Sequence, residues 1–273
     1  MRWALVALAV LLLFVTGKAG YDTMRAPVVR HLSLPSHLLP ETASRRIVLL
    51  ADLHVAGPDM PPERLERIVA QVNALQPDTI LIAGDFVSDK RTATHLYTVE
   101  EALAPLAVLA PETLKYAVPG NHDHWRSIGA IARELQRHGI GLLRNEVVDA
   151  GGLLIAGLDD DFTGRAKLGE VMSIVEPFER PAIFLSHSPD PFADLPRDAG
   201  VMLAGHTHCG QIAWPWGGSP ATMSDYGERY SCGVVKERGN ILVTSAGIGT
   251  SVLPFRLFTQ PEIWVIDLKQ SED

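Results

Sequence analysis

Five short apolar runs, at residues 46–51, 79–83, 116–118, 182–185 and 201–204, each break off at a polar patch. Runs this short and continuous are what strands buried on both faces look like, because a sheet covered on both sides has no solvated face to alternate toward. In such sheets functional groups collect beyond the carboxyl ends of the strands, on loops held by a rigid scaffold. The first run leads into Asp52-Leu53-His54 and the second into Gly84-Asp85. The third, through Pro119, leads into Gly120-Asn121-His122-Asp123, the fourth into Ser186-His187, and the fifth into Gly205-His206-Thr207-His208.

Taken singly, these patches are weak signals: Gly-Asp is an ordinary turn, and a lone His187 is more often a satisfied histidine than a ligand. Jointly they offer carboxylate, imidazole and amide oxygen without thiolate, a donor set that suits Mn²⁺, Fe²⁺, Zn²⁺ or Mg²⁺. Two cations held side by side need an anionic bridge, which a carboxylate such as Asp85 and a shared hydroxide can provide. That bridging water is acidified enough to be a nucleophile near neutral pH, while the ions draw charge from the oxygens of the group under attack. His122 then has the chemistry of a general acid for a departing alkoxide, with its neighbour Asp123 expected to fix its tautomer and keep it protonated.

The ordered set Asp52-x-His54, Gly84-Asp85, Gly120-Asn121-His122-Asp123, His187 and Gly205-His206-Thr207-His208 resembles the calcineurin-like metallophosphoesterase superfamily over roughly residues 46–268. The resemblance implies a four-layer α-β-β-α sandwich with two divalent ions at one end of the sheets. Carried onto matching positions, it assigns Asp52, His54 and His208 to the first ion and Asn121, His187 and His206 to the second. Asp85 would bridge the two, and His122 would face the leaving group, steadied by Asp123. The stretch from Gly205 to Gln211 and on to Pro215, with 247–251 followed by Pro254, Arg256, Pro261 and Glu262, resembles a bacterial branch of membrane-linked phosphohydrolases. That branch usually has Gly at the position of Cys209. Related branches cleave phosphodiesters, or the pyrophosphate bond of a UDP-acylated glucosamine.

The remaining sequence sets the context. A formal net charge of -8 argues against a general nucleic-acid binder, which would carry a basic stripe. The chain's 2 cysteines, Cys209 and Cys232, are no disulfide framework, although one bridge in an oxidising compartment is open to them. Residues 3–15 form an apolar run expected to engage a membrane, with an uncleaved anchor preferred over a signal peptide that would leave a secreted or periplasmic protein. The expected organisation is an anchor or signal over 1–20, outside the fold, a connector over 21–45 with an edge strand at 28–32, and a catalytic domain over 46–273. Helices are expected over 62–76, 98–109 and 127–138, with Ser127 as N-cap, and further strands over 153–156, 241–245 and 263–268.

The function expected from these residues is a membrane-associated phosphodiesterase or pyrophosphatase acting on a small phosphate ester or a lipid-linked substrate. The alternatives are a phosphomonoesterase, including a protein phosphatase, with the same metal centre, and a non-catalytic scaffold. Trp214 and Trp216, in the one aromatic-rich loop, either face the lipid interface or pack onto a sheet. Arg91, Arg165 and Arg256 are candidate phosphate clamps.

Overall fold

A period of two divides each buried strand between two cores. Ile47, Leu49 and Leu81 point to one side, and Val48, Leu50, Ile80 and Ile82 to the other. Both sides are dry, which is why these strands read as unbroken apolar runs.

The computed structural model describes residues 1–35 and 45–269. The chain begins with α1 (Arg2–Met24), β1 (Val28–Pro35), β2 (Arg45–Leu50), α2 (Pro62–Ala74), β3 (Thr79–Ala83) and α3 (Val99–Leu103). It continues through β4 (Leu114–Val118), α4 (Asn121–Arg126), α5 (Ile128–Arg137) and β5 (Gly141–Leu142). The second half supplies β6 (Glu146–Ala150), β7 (Leu153–Gly157), α6 (Leu168–Val175), β8 (Ala182–Leu185), β9 (Gly200–Ala204), β10 (Gly233–Glu237), β11 (Asn240–Thr244) and β12 (Glu262–Lys269). Two 6-stranded sheets result, ordered β1-β12-β2-β3-β4-β5 and β10-β11-β9-β8-β7-β6. Strands β2 to β5 run parallel, as do β7, β8, β9 and β11.

One apolar cluster, including Leu49, Leu81, Ile183 and Leu203, lies between the sheets. A second fastens α2, α3 and α5 to the outer face of the first sheet, and a third packs α6 against the second. The layers are therefore α-β-β-α, as expected.

Local differences have local causes. Over 98–109 the chain is α-helical only as far as Leu103, then tightens to a 3₁₀ turn at Ala104–Val108, where Pro105 supplies no N–H. Its start is a reciprocal cap: Glu101 N–H donates to Thr98 Oγ1 at 3.2 Å, and Thr98 N–H to Glu101 Oε2 at 2.9 Å. Ser127 precedes α5 as expected, but its side chain caps nothing. The strands without a sequence signal, β5, β6 and β10, are all sheet edges, where exposure removes the apolar run.

The N-terminal segment is not separate from the fold. Residues 1–14 are exposed, but α1 runs past residue 20 and buries Ala19, Asp22 and Thr23 on the catalytic domain. Phe258 N–H donates to Asp22 Oδ2 at 2.9 Å, Arg256 N–H to Thr23 Oγ1 at 2.7 Å, and Arg64 Nη2 of α2 to the Thr23 carbonyl at 2.6 Å. From Val28 the expected connector is a full edge strand, parallel to β12 with Val28 opposite Glu262. The connector's stretch 36–44, with Pro40, lies outside the described residues.

Candidate metal centre

Every expected ligand sits just past the carboxyl end of a strand: Asp52 and His54 after β2, Asp85 after β3, Asn121 after β4, His187 after β8, and His206 and His208 after β9. The first four come from one sheet and the last three from the other, so the site exists only because the two sheets are stacked with these ends together. Asp52, His54, Asp85, His206 and His208 all have left-handed φ, between 44° and 68°. Non-glycine residues rarely take this conformation, and they hold it where the surroundings over-determine them. Here the loops are laced together: Asp52 N–H donates to Gly84 O at 3.1 Å, His54 N–H to Asp85 O at 2.9 Å, and Gly205 N–H to His187 O at 2.9 Å. Gly84, at φ 76°, is required for closeness as well as conformation, since a Cβ there would lie 2.6 Å from Gly120 N and 2.9 Å from His187 Nδ1.

The donor atoms converge in three overlapping groups. Asp52, His54 and His208 bring ligand atoms within 4.8 Å of one another, as do Asp52, Asp85 and His187, and as do His54, Asp85 and His122. Nε2 of His54 lies 3.1 Å from Nε2 of His208 and 3.3 Å from Asp85 Oδ2. Nε2 of His187 lies 3.1 Å from Asn121 Oδ1, 3.1 Å from His206 Nδ1 and 3.2 Å from Asp85 Oδ2.

The donors fit divalent cations. Nδ1–H of His187 donates to Ala83 O at 2.8 Å, which turns Nε2 toward three lone-pair atoms that a single N–H cannot serve. Nδ1 of His54 and Nε2 of His206 are buried without a hydrogen-bond partner. So many lone pairs aimed at one another, beside two buried carboxylates, call for positive charge between them.

Electrostatics agree. Burial pushes the Asp52 carboxyl up to about 7, against the pull of His187. Burial also acts on Asp85, but His187 and His54 outweigh it and hold that carboxyl well below its usual range. Burial lowers His54 and His208 far below the ordinary imidazole value and His206 to about 3, leaving them neutral as metal ligation requires. His187 goes the other way: burial would lower it, but Asp85 and Asp52 raise it to about 10, a positive charge that a bound ion would replace so that the Nε2 lone pair could ligate.

His122 and Asp123 are both present, but the expected contact between them is not made. Asp123, fully buried, turns back into its own loop: Oδ2 accepts from Asp85 N–H and Gly120 N–H, each at 2.9 Å, and Oδ1 from Phe86 N–H at 2.8 Å. As the third residue of a helix that starts at Asn121, its carboxylate is drawn to these unpaired amides. The partner of His122 is Asp89, whose Oδ1 lies 2.5 Å from Nδ1. Ser251 Oγ lies 3.3 Å from Nε2. Sequence reasoning missed both, although Asp89 lies four residues after Asp85 and Ser251 lies in the 247–251 stretch. Behind them, the buried Lys90 ammonium sits 2.5 Å from Asp59 Oδ1 and 2.9 Å from Thr250 Oγ1, tying the two arms that hold the imidazole.

None of the three candidate arginines reaches the site opening. Arg91 and Arg165 are exposed surface residues. Arg256 is fully buried, with the two Nη2 hydrogens taken by Ala246 O at 2.7 Å and Gly249 O at 2.6 Å, so it supports the loop behind His208. Cys209 and Cys232 form a disulfide, which closes a loop of residues 210–231. That loop carries Trp214 and Trp216, exposed and stacked in parallel 5.6 Å apart, rather than packed onto a sheet. It also carries Pro220 and Met223, one wall of a cleft of about 330 Å³ above the ligands; Trp125 and Phe162 form the other.

A two-sheet sandwich with this donor set at the strand ends has the anatomy of a metal-dependent phosphoesterase. The sequence profile of the calcineurin-like phosphoesterase family matches residues 45–210, and the chain belongs to that family. It is 30% identical over 236 residues to the Bacillus subtilis uncharacterized metallophosphoesterase YkuE, covering 83% of this chain and 79% of that protein. It is 29% identical over 289 residues to a Danio rerio transmembrane protein with metallophosphoesterase domain, covering 98% of this chain. The chain spans 62% of that relative's length. Among solved structures, a 5'-nucleotidase precursor from Thermus thermophilus aligns with a TM-score of 0.46 and 14% identity, over 84% of this chain and 55% of that one.

Proposed function

We propose that the chain is a membrane-anchored phosphodiesterase or pyrophosphatase working with two divalent ions. The observation that carries this reading is the cleft wall. Among the described residues lining it there is no Lys or Arg, and Trp125, Phe162, Ile212, Pro220, Met223 and Leu253 make it largely apolar. A phosphomonoester is a compact dianion that gains most from cationic side chains. A diester or pyrophosphate diester carries less charge at the phosphorus under attack and an organic group on each side, which apolar walls can hold.

Asp52, His54 and His208 would hold one ion, Asn121, His187 and His206 the other, and Asp85 both. Bound there, the ions would supply an acidified water and neutralise charge on the phosphoryl oxygens. His122 provides the proton. Asp89 on Nδ1 orients the ring, so that Nε2 points into the cleft beside Ser251 Oγ. Asp123 holds the Asp85 and Asn121 loops in register through three backbone N–H groups. The apolar rim limits water around the leaving oxygen.

Membrane association is supported by α1, whose 18-residue apolar window is only 6% buried, and by the transmembrane description of the zebrafish relative. Exposed Trp214 and Trp216 suit an interface with lipid, and a lipid-linked ester suits the cleft. The test is hydrolysis by the purified full-length chain in detergent, loaded with Mn²⁺, Zn²⁺, Fe²⁺ or Mg²⁺. Bis-p-nitrophenyl phosphate should be cleaved faster than p-nitrophenyl phosphate, and both activities should vanish in Asp85→Asn. A preference for the monoester would overturn the substrate assignment, and failure to bind any ion would overturn the metal assignment.

A further inference from the structure

A second cavity, of about 440 Å³, lies outside the metal centre, between the end of α1, the tryptophan loop and the start of β12. Three cations line it: Lys18 and Arg25 around the end of α1, and Arg30 on β1. Its two carboxylates are already engaged. Asp22 takes the Lys18 ammonium and Phe258 N–H, while Glu262 takes Arg30 Nε at 3.2 Å, Ala246 N–H at 2.8 Å and Trp264 Nε1–H at 2.8 Å. Arg25 forms no ion pair among the described residues, and its guanidinium lies 5.3 Å from the Tyr21 ring centroid. The cavity thus holds more positive charge than its own acids can answer, in a chain whose net charge is -8.

Its height matters as much as its charge. About 20 helical residues rise ~30 Å, the thickness of a bilayer's hydrocarbon core, so a membrane-embedded α1 brings residues 18–25 to the level of the lipid phosphates. Trp214 also lines the cavity, with Trp216 stacked on it, and Phe258 stands opposite with Lys18 Nζ 5.1 Å from its ring. Aromatic rings beside basic groups are what the boundary between acyl chains and headgroups favours. The cavity's inner wall includes the disulfide partners Cys209 and Cys232, the first of them next in sequence to His208.

We propose that this cavity binds the phosphate headgroup of an anionic membrane lipid, with Arg25, Lys18 and Arg30 as its cations. The inference rests on α1 being embedded in a bilayer. A seated headgroup holds the domain against the membrane at a fixed height, because Asp22 and Thr23 clasp the 256–258 segment beside it.

The experiment uses the full-length chain in nanodiscs of equimolar phosphatidylglycerol and phosphatidylcholine, with retained lipids counted by native mass spectrometry. Phosphatidylglycerol should be retained in preference to phosphatidylcholine, and Arg25→Gln should weaken that preference about fivefold, the worth of one basic residue at a membrane surface. Arg25→Gln removes no ion pair, and a Lys18→Gln variant gives a second reading at the same site. Equal retention of the two lipids by the wild-type chain would overturn the proposal. Displacement of phosphatidylglycerol by millimolar inorganic phosphate would assign the cavity to free phosphate and also overturn it. A chain that does not enter nanodiscs would instead overturn the membrane reading of α1, so the two failures are distinct.

Discussion

Replacing Asp123 separates two roles that a sequence motif cannot. If Asp123 organises the loop, Asp123→Asn should act mainly on stability, because only one of its oxygens survives as an acceptor. With the amide oxygen in the Oδ2 position, the N–H groups of Asp85 and Gly120 keep a partner, but the new NH₂ faces Phe86 N–H, donor against donor. One buried N–H is left unsatisfied, at about 1–3 kcal/mol, and two charge-assisted bonds become neutral, at about 0.5–1 kcal/mol each. The expected loss is about 2–5 kcal/mol, which for a domain of this size lowers Tm by roughly 4–20 °C. Measurement at pH 8 keeps the carboxylate ionised in the wild type, since burial and the neighbouring Asp85 raise Asp123 to about 7. The assay is thermal unfolding of the metal-loaded chain, followed by circular dichroism, alongside the pH–rate profile for bis-p-nitrophenyl phosphate. A variant with unchanged Tm whose general-acid limb has moved would refute the reasoning and restore Asp123 as the partner of His122.

Asp89→Asn is expected to do the opposite: kcat falls about 10- to 100-fold as the His122 ring loses the partner that orients it, while Tm barely moves, because the Asp89 side chain is partly exposed. Addition of a chelator should lower Tm, with a loss of about 2.7 kcal/mol of stability for each ion previously held at a hundred times its dissociation constant; an unchanged Tm would show that the converging lone pairs bind nothing. Reduction of the disulfide that closes residues 210–231 should cost about 3 kcal/mol and loosen the cleft wall, seen as a lower Tm and a higher KM in reducing buffer. Disulfides persist on the oxidising side of a membrane, whereas Lys18, Arg25 and Arg30 pull toward the cytoplasmic face; with α1 embedded, protease digestion of intact cells is expected to remove the domain, and its protection would give the opposite orientation.

Much of the site was legible because metal ligation is demanding about residue type. Few side chains can donate to a divalent ion, and Asp52, His54, Asp85, Asn121, His187, His206 and His208 are such side chains at the ends of apolar runs. The strands carrying them were legible for a related reason, since burial on both faces removes every polar position. The edges β5, β6 and β10 face water and left no such mark. His122 was found from its motif, but not its partner: adjacency in sequence suggested Asp123, whereas a helix starting at Asn121 turns that carboxylate onto the preceding amides. Arg256 looked like a surface clamp and proved to be buried behind His208, a distinction that only burial reveals.

The sequence by itself determined which residues could hold metal, which strands deliver them, and that an apolar segment precedes the domain. Periodicity and side-chain chemistry are local properties and need no neighbours to be read. That His187, His206 and His208 meet Asp52, His54, Asp85 and Asn121 was implied by the family resemblance, and tertiary structure supplied the means, two sheets stacked with these strand ends together. Tertiary structure alone decided that Asp89 and Ser251 hold His122, that Cys209 pairs with Cys232, and that the last turn of α1 belongs to the catalytic domain. Each of these contacts joins segments whose proximity is set by the packing of two sheets and their loops, and no local pattern encodes that distance.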